Sequence, residues 1–325
     1  ALTVAVFPLI WVGGLVTTYD AGMAVPDWPG TYGWNMFAYP ASTWLYGPFD
    51  LLVEHSHRLL GTVAGFLSIG LVIAAFRSDQ RRWFRMWSIF VLIFVIGQGL
   101  LGGARVLLDA RTVAMIHGCT GPLFFAIATA TAVMSSRWWI ERSTAKPTEP
   151  SNRQDAPDTK VRQNATGAFT AWLAVILLVL SYGQLILGAQ LRHVTGAVPH
   201  KLFKGFVHMH LGSAGLVLVA SLVLVSIALV SSQIPAKVSR VIYVTCGLIL
   251  VQLALGIGTW IVNYALPWSE LNEFLASYTI AAKGYWESMI VTAHVATGSL
   301  IISVSTVATL RAGRSRASLD VLAAN

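Results

Sequence analysis

The sequence predicts an all-α integral membrane protein of eight transmembrane helices, arranged as two tandem four-helix bundles related by a pseudo-twofold axis. Three observations carry this expectation. The 325 residues are 55% apolar and only 11% charged, with a mean hydropathy of +0.66, whereas a soluble domain carries about 25% charged residues. Apolar runs of roughly twenty residues recur, each long enough to cross a hydrocarbon core of about 30 Å. The motifs found before a polar segment at 143–165 also return after it.

The runs lie at about 1–17, 52–76, 86–107, 112–136, 167–191, 205–232, 239–263 and 287–311. The first is short. It has no basic stretch before it and no small-x-small site after it, so it is expected to be a span and not a signal peptide. Basic residues orient the rest. Arg77, Arg81, Arg82 and Arg85 separate spans two and three; Arg137, Arg142, Lys146, Arg153, Lys160 and Arg162 separate four and five. Lys237 and Arg240 lie between six and seven, and Arg311, Arg314 and Arg316 follow span eight. These fifteen of the 22 Lys and Arg share one side, which the positive-inside rule makes cytoplasmic. The expected location is the cell (plasma) membrane, with both termini in the cytoplasm. The net charge of +8 is explained by this rule and by anionic lipid, and no nucleic-acid partner is expected. Cys119 and Cys246 fall inside spans and read as small buried residues.

The polar segment 143–165 divides the chain into an N-terminal half, 1–142, and a C-terminal half, 166–325. Span two contains His55-Ser56-His57 and span six His208-Met209-His210, which pairs His57 with His210. Gln98-x-x-x-Gly102 in span three recurs as Gln184-x-x-x-Gly188 in span five and Gln252-x-x-x-Gly256 in span seven. Span one keeps Gly13-Gly14 without the glutamine. Both halves start on the same side, so the repeat is parallel.

Spans two, four, six and eight each carry a histidine within their first two turns: His57, His117, His210 and His294. Each is followed at i+4 by a small residue, Gly61, Gly121, Ala214 or Gly298. That residue lies on the same helix face and leaves a flat gap beside the imidazole. Two parallel helices offering one histidine each suit haem iron better than zinc, which takes three or four converging ligands. One lone intramembrane histidine is often only a hydrogen-bonding residue. Four at equivalent depth, two per repeat, point to two bis-histidine sites. His208, with Gly212 at i+4, is the rival to His210. His55 reads as an interface residue, and His193 and His200 as solvated loop residues. Each imidazole needs a second acceptor for its other nitrogen, which the sequence does not identify.

Arg58, Arg105 and Arg192 lie at the outer ends of spans, where haem propionates would give them anionic partners; interfacial snorkelling explains them equally. Glu54 shares a helix face with His57 and is placed for proton transfer or for stabilising a developing cation, or else as a helix-start carboxylate. Its counterpart in the second half is Val207. The loop from about 18 to 51, with Asp20, Asp27, Trp28, Trp34 and Trp44, is long enough to cover the first-half pocket.

These residues resemble the haem A synthase family, the membrane enzymes that supply haem A to cytochrome oxidase. Glu54-His55-Ser56-His57-Arg58-Leu59-Leu60-Gly61 is similar to the family's E-x-x-H-R-x-x-G signature, and Gly22 to Pro29 to its G-x-x-x-P-D-W-P loop. The resemblance implies oxidation of the C8 methyl of haem O to a formyl group by successive hydroxylations, with oxygen from water. It implies that His57 and His117 hold substrate haem O, and product haem A, in the N-terminal half. Glu54 then assists catalysis, and His210 and His294 bind a resident haem b in the C-terminal half. Val25 and Thr31 stand where many bacterial members carry a cysteine pair, and Leu211 where an arginine often follows the second-half histidine. Expected partners are haem O and the lipid bilayer, with a haem O synthase, an electron acceptor and a second copy of the chain as candidates. The residues without the resemblance leave open a b-type cytochrome for quinol-linked electron transfer, or a haem transporter.

Overall fold

The structure, a computed structural model, describes residues 1–144, 157–193, 198–264 and 284–323. Among them every regular element is a helix, apart from a bridge pairing Thr31 with Trp34. The principal helices are α1 (Leu2–Thr18), α2 (Phe49–Ser78), α3 (Arg82–Leu108), α4 (Arg111–Met134), α5 (Pro157–Arg192), α6 (His200–Val230), α7 (Ala236–Tyr264) and α8 (Tyr285–Ala323). Seven of them, α2 to α8, are long and apolar enough to cross a membrane; α1 is apolar but has 17 residues. Valine, isoleucine and phenylalanine are common in these helices although they favour strands in water. In lipid, a helix satisfies every backbone polar group within its own segment, and that requirement overrides propensity. Buried hydroxyls obey the same demand by returning to the carbonyl one turn back, as Ser68 does to Ala64 and Thr306 to Ile302.

The expected polar linker at 143–165 is described only in part. Residues 145–156 lie outside the described residues, while the helix of α5 begins at Pro157, with Asp158 behind it. Proline suits a first helical position because its missing N–H has no intrahelical acceptor there. Most of the loop between α7 and α8, residues 265–283, also lies outside the described residues.

The chain forms two compact units, each drawing on both sequence halves. The first comprises residues 1–128, 189–195 and 251–299. In it α1 packs on α2 and α2 on α3. Leu15, Val16 and Val53 form a small core with Trp11, Val12, Tyr19 and Met289. The loop at 18–51 is folded onto the start of α2: Val25 and Thr31 are fully buried. Tyr32 and Gly33 make its tight turn with positive φ (51° and 78°), between the paired N–H and C=O groups of Thr31 and Trp34. The Asp27 carboxylate accepts the Tyr32 and Gly33 N–H groups at 2.7 and 3.0 Å.

The second unit comprises residues 129–188, 196–250 and 300–325. Leu177, Leu224, Val238 and Ile302 are buried in it. Thr129 and Ser303 hydrogen-bond at 2.7 Å, and Thr309 donates to the Ala174 carbonyl at 3.0 Å. A short helix, Arg137–Thr144, presents Trp138 and Trp139 to the guanidinium groups of Arg311 and Arg314.

Candidate functional site

In the first unit, α2 carries His57 and α4 carries His117. Their ring centroids are 6.3 Å apart and their planes stand at 87°. Two imidazoles that share one metal atom through bonds of about 2 Å have centroids roughly 6 Å apart. Nδ1 of each ring is buried and has no hydrogen-bond partner among the described residues. A main-chain carbonyl of the preceding helix is within hydrogen-bonding reach of each ring, Leu9 for His57 and Gln98 for His117. An imidazole with a backbone carbonyl in reach of its ring can be held in orientation as metal-ligating histidines are. The second-shell acceptor that the sequence leaves open is therefore a backbone carbonyl.

Each carbonyl lies one turn before a glycine, and the ring rests on that glycine. A Cβ at Gly13 would come within 2.7 Å of His57 Cε1, and one at Gly102 within 3.4 Å of His117 Cε1. The same relation holds for His294 on Gly256, at 3.1 Å, and in the second unit for His210 on Gly188, at 3.1 Å. The Gln184 carbonyl is within reach of His210. Two of the glycines at i+4 behave differently: a Cβ at Gly61 or Gly121 would meet nothing within 4 Å, which is the flat gap that the spacing implies. The expected gap at Gly298 is instead filled by Gln252, whose Nε2 would lie 3.2 Å from a Cβ there. His208 is exposed, as is the helix face around it at Met209, while His210 sits in a cradle.

Glu54 is 4% exposed. Its Oε1 accepts from Arg58 at 3.0 Å, and its Oε2 is buried without a partner. Arg58 also donates to three loop carbonyls, Asp27 at 2.7 Å, Gly30 at 2.8 Å and Val25 at 2.7 Å. One guanidinium thus fixes both the loop and the carboxylate. Arg192 donates to the Gly14 carbonyl at 2.7 Å and the Thr18 hydroxyl at 2.6 Å. Arg105 lies over Gly22, where any Cβ would overlap its guanidinium, and Trp28 lies over Gly103, where a Cβ would approach Cε2 to 2.5 Å.

His55 departs from its expected interfacial place. It is 1% exposed, beneath the rings of Trp44 and Tyr39 at 4.8 and 5.5 Å, with Thr31 Oγ1 3.3 Å from its Nδ1. Helix periodicity places it on the loop side of α2 but does not reveal that the loop folds back over it. His193, expected in solvent, is half-buried, with Nδ1 3.0 Å from the Ala189 carbonyl.

A family model described as cytochrome oxidase assembly protein matches residues 1–205. The chain belongs to this family, COX15-CtaA. No curated protein matches the chain. Membership gives this COX15-CtaA protein a role in cytochrome oxidase assembly and haem A synthesis. The matched stretch takes in Glu54, His57, Arg58, Arg105, His117 and Arg192 and ends before His210. The donor set fits a haem: two imidazoles at bridging distance, buried unpartnered nitrogens, and open space beside Gly61 and Gly121. Sequence reasoning missed the role of Leu9, Gln98 and Gln184 as carriers of the facing carbonyls. The signal was present in the Gln-x-x-x-Gly repeat, whose spacing does not say which side chain each glycine meets.

Proposed function

We propose that the protein is a haem A synthase, oxidising the C8 methyl of haem O to a formyl group by successive hydroxylations with oxygen from water. One observation carries the reading: His57 and His117 stand 6.3 Å apart, and Glu54, three residues before His57 on the same helix, is buried with Oε2 unpartnered among the described residues. In this reading the two imidazoles hold substrate haem in the N-terminal four-helix half, 1–142. His210 and His294 bind a resident haem b in the C-terminal half, 166–325.

A haem held by His57 and His117 would supply one-electron oxidation chemistry. The chain supplies the rest. His57 and His117 orient the macrocycle, their rings set by Gly13 and Gly102. Each hydroxylation exchanges a methyl C–H bond for C–OH with oxygen from water and releases two protons and two electrons. Glu54 Oε2 would take a proton, or stabilise positive charge developing at that carbon, and the electrons would pass to the electron acceptor proposed below. Arg58 keeps that carboxylate from turning away. The loop, closed by Trp28 over Gly103, keeps bulk water from the pocket. Arg58 and Arg192 spend donors on main-chain carbonyls, so Arg105 is the best-placed of the three to take a propionate. The basic residues place both termini in the cytoplasm, in the cell membrane. A haem O synthase, an electron acceptor and a second copy of the chain remain the partners proposed.

Co-expression with a haem O source, followed by pigment extraction and mass spectrometry, tests the reading. Haem A in the extract is the expected result. Resident haem in both halves with haem O unchanged overturns it and marks a b-type cytochrome instead.

A further inference from the structure

A polar cluster of the first unit gathers at the C-terminal end of α1, the helix on which the His57 ring rests. Arg192 comes to it from the end of α5 and Thr292 from α8. One nitrogen of Arg192, Nη2, donates both to the Gly14 carbonyl at 2.7 Å and to the Thr18 hydroxyl at 2.6 Å. That hydroxyl donates to the same Gly14 carbonyl at 2.8 Å and lies 3.2 Å from the Thr292 hydroxyl. Thr292 is fully buried, and a Cβ at Gly14 would meet its Cγ2 at 3.0 Å. Among the described residues no carboxylate pairs with Arg192. Its charge goes instead to the C-terminal end of a helix that has no basic residue in its own last turn, where a cation complements the helix dipole.

Gly14 adjoins Gly13, and the seat at Gly13 is the tightest of the four. A Cβ there would stand 2.7 Å from its imidazole, against 3.4 Å at Gly102 and 3.1 Å at Gly188 and Gly256. A displacement of α1 by a few tenths of an ångström is therefore felt directly by His57. The helix is poorly equipped to hold its own place. Pro8 removes a backbone donor inside it, and its N-cap makes no side-chain hydrogen bond. Thr3 ties its first turn to the Ala128 carbonyl at 2.9 Å. Leu15 and Val16 pack near its other end, but apolar packing is non-directional and does not set the height or rotation of a helix. Charge-assisted hydrogen bonds do. We propose that Arg192 is a positioning residue for the first-half site: with Thr18 and Thr292 it clamps the end of α1 and so seats Gly13 against His57. A side chain from the second half of the sequence thereby completes the ligand geometry of the first. This rests on the reading that His57 and His117 hold the substrate haem, and it gives Arg192 a task other than contact with a propionate.

The test uses the full chain, purified from cells supplying haem O and then exposed to excess apomyoglobin. Haem O and haem A remaining in the extract report the first-half site, and haem b the second. Arg192→Met is expected to speed loss of haem O and haem A about tenfold, the kinetic equivalent of one hydrogen bond to a charged group. Thr18→Val keeps the guanidinium and the side-chain shape, and should speed the loss about threefold; it keeps the idea testable should Arg192→Met fail to fold. The double variant should fall short of the product of the two single effects, because both changes break one cluster. Arg192→Lys, whose single ammonium can serve both acceptors as Nη2 does, should stay near the wild type. Electron paramagnetic resonance adds a signature that a merely structural role would not move. The low-spin g-values of the first-half haem, which report how the two imidazole planes are set, should shift in Arg192→Met and Thr18→Val and return in Arg192→Lys. Wild-type rates and g-values in both Arg192→Met and Thr18→Val overturn the inference while leaving the haem A synthase reading intact. So does fast loss from Arg192→Met beside an unchanged Thr18→Val, which would make Arg192 a direct propionate partner. A first half that never holds haem, in the wild type or any variant, overturns both.

Discussion

His57 and His210 occupy matching places in the two halves, and the difference between them is instructive. Both rings lie on a glycine of the preceding helix, and both face a carbonyl one turn before it. The backbone has repeated itself faithfully. The side chains have not. His210 is flanked by Gln184 and Ser213, whereas His57 is flanked by leucines and has Glu54 and Arg58 on its own helix. Val207 and Leu211 stand where those two charges would be. The same backbone cradle receives an imidazole in both places, and only the first has a carboxylate and a guanidinium on the ligand's own helix.

The largest expected effect comes from erasing that difference. Glu54→Val gives the first half the residue found in the second. Haem is expected to remain bound, because no imidazole is touched, while haem A yield falls about 100-fold or more, the usual scale for loss of a proton-transfer group. Extracted pigment should stall at haem O or a hydroxylated intermediate. Wild-type haem A yield from this variant would remove Glu54 from the mechanism and with it the functional meaning of the asymmetry.

A smaller effect should grade the cradles themselves. A methyl at Gly13 would meet His57 at 2.7 Å, too close without a shift, while at Gly102 it would meet His117 at 3.4 Å, near ordinary contact; Gly188 is intermediate at 3.1 Å. Overpacking of this kind costs about 1–3 kcal/mol when the neighbour cannot give. Gly13→Ala is expected to weaken haem retention about tenfold, Gly188→Ala by less, and Gly102→Ala hardly at all, as read from haem-to-protein ratios after purification. The reverse order would show that the rings do not rest where the structure puts them.

Much of this was legible in the chain. Low charge and recurring apolar runs gave the helical membrane fold, because twenty apolar residues in lipid have few other choices. The four histidines and the Gln-x-x-x-Gly repeat were visible as spacing. Their pairing was not, since spacing along one helix says nothing about which neighbour a side chain meets. That is why the Gln98 and Leu9 carbonyls and the burial of His55 under Trp44 emerge only from packing. Arg58 shows the same limit: its sequence position suggests an anion, yet its donors go to three loop carbonyls and Glu54.

The smallest expected effect isolates that loop. Asp27 lies outside the spans. Partial burial pushes its pKa up, but the Gly33 and Tyr32 N–H groups and the Arg58 guanidinium outweigh this and hold it below the ordinary carboxylate value. A carboxyl whose folded pKa is depressed stabilises the fold above its unfolded value of about 3.9, and that contribution disappears as pH falls through the folded pKa. Acidification below about pH 4 should therefore loosen the tight turn at Tyr32 and Gly33, seen as a change in fluorescence of the neighbouring Trp28 and Trp34. The Asp27→Asn variant, which keeps an acceptor but cannot titrate, should lose that pH dependence. The absorbance of the second-half haem should not follow the same curve, because this turn belongs to the first unit and His210 to the second. If both signals moved together with one midpoint, the acid transition would belong to the whole fold, and the loop could not be credited with an independent hold on the first-half site.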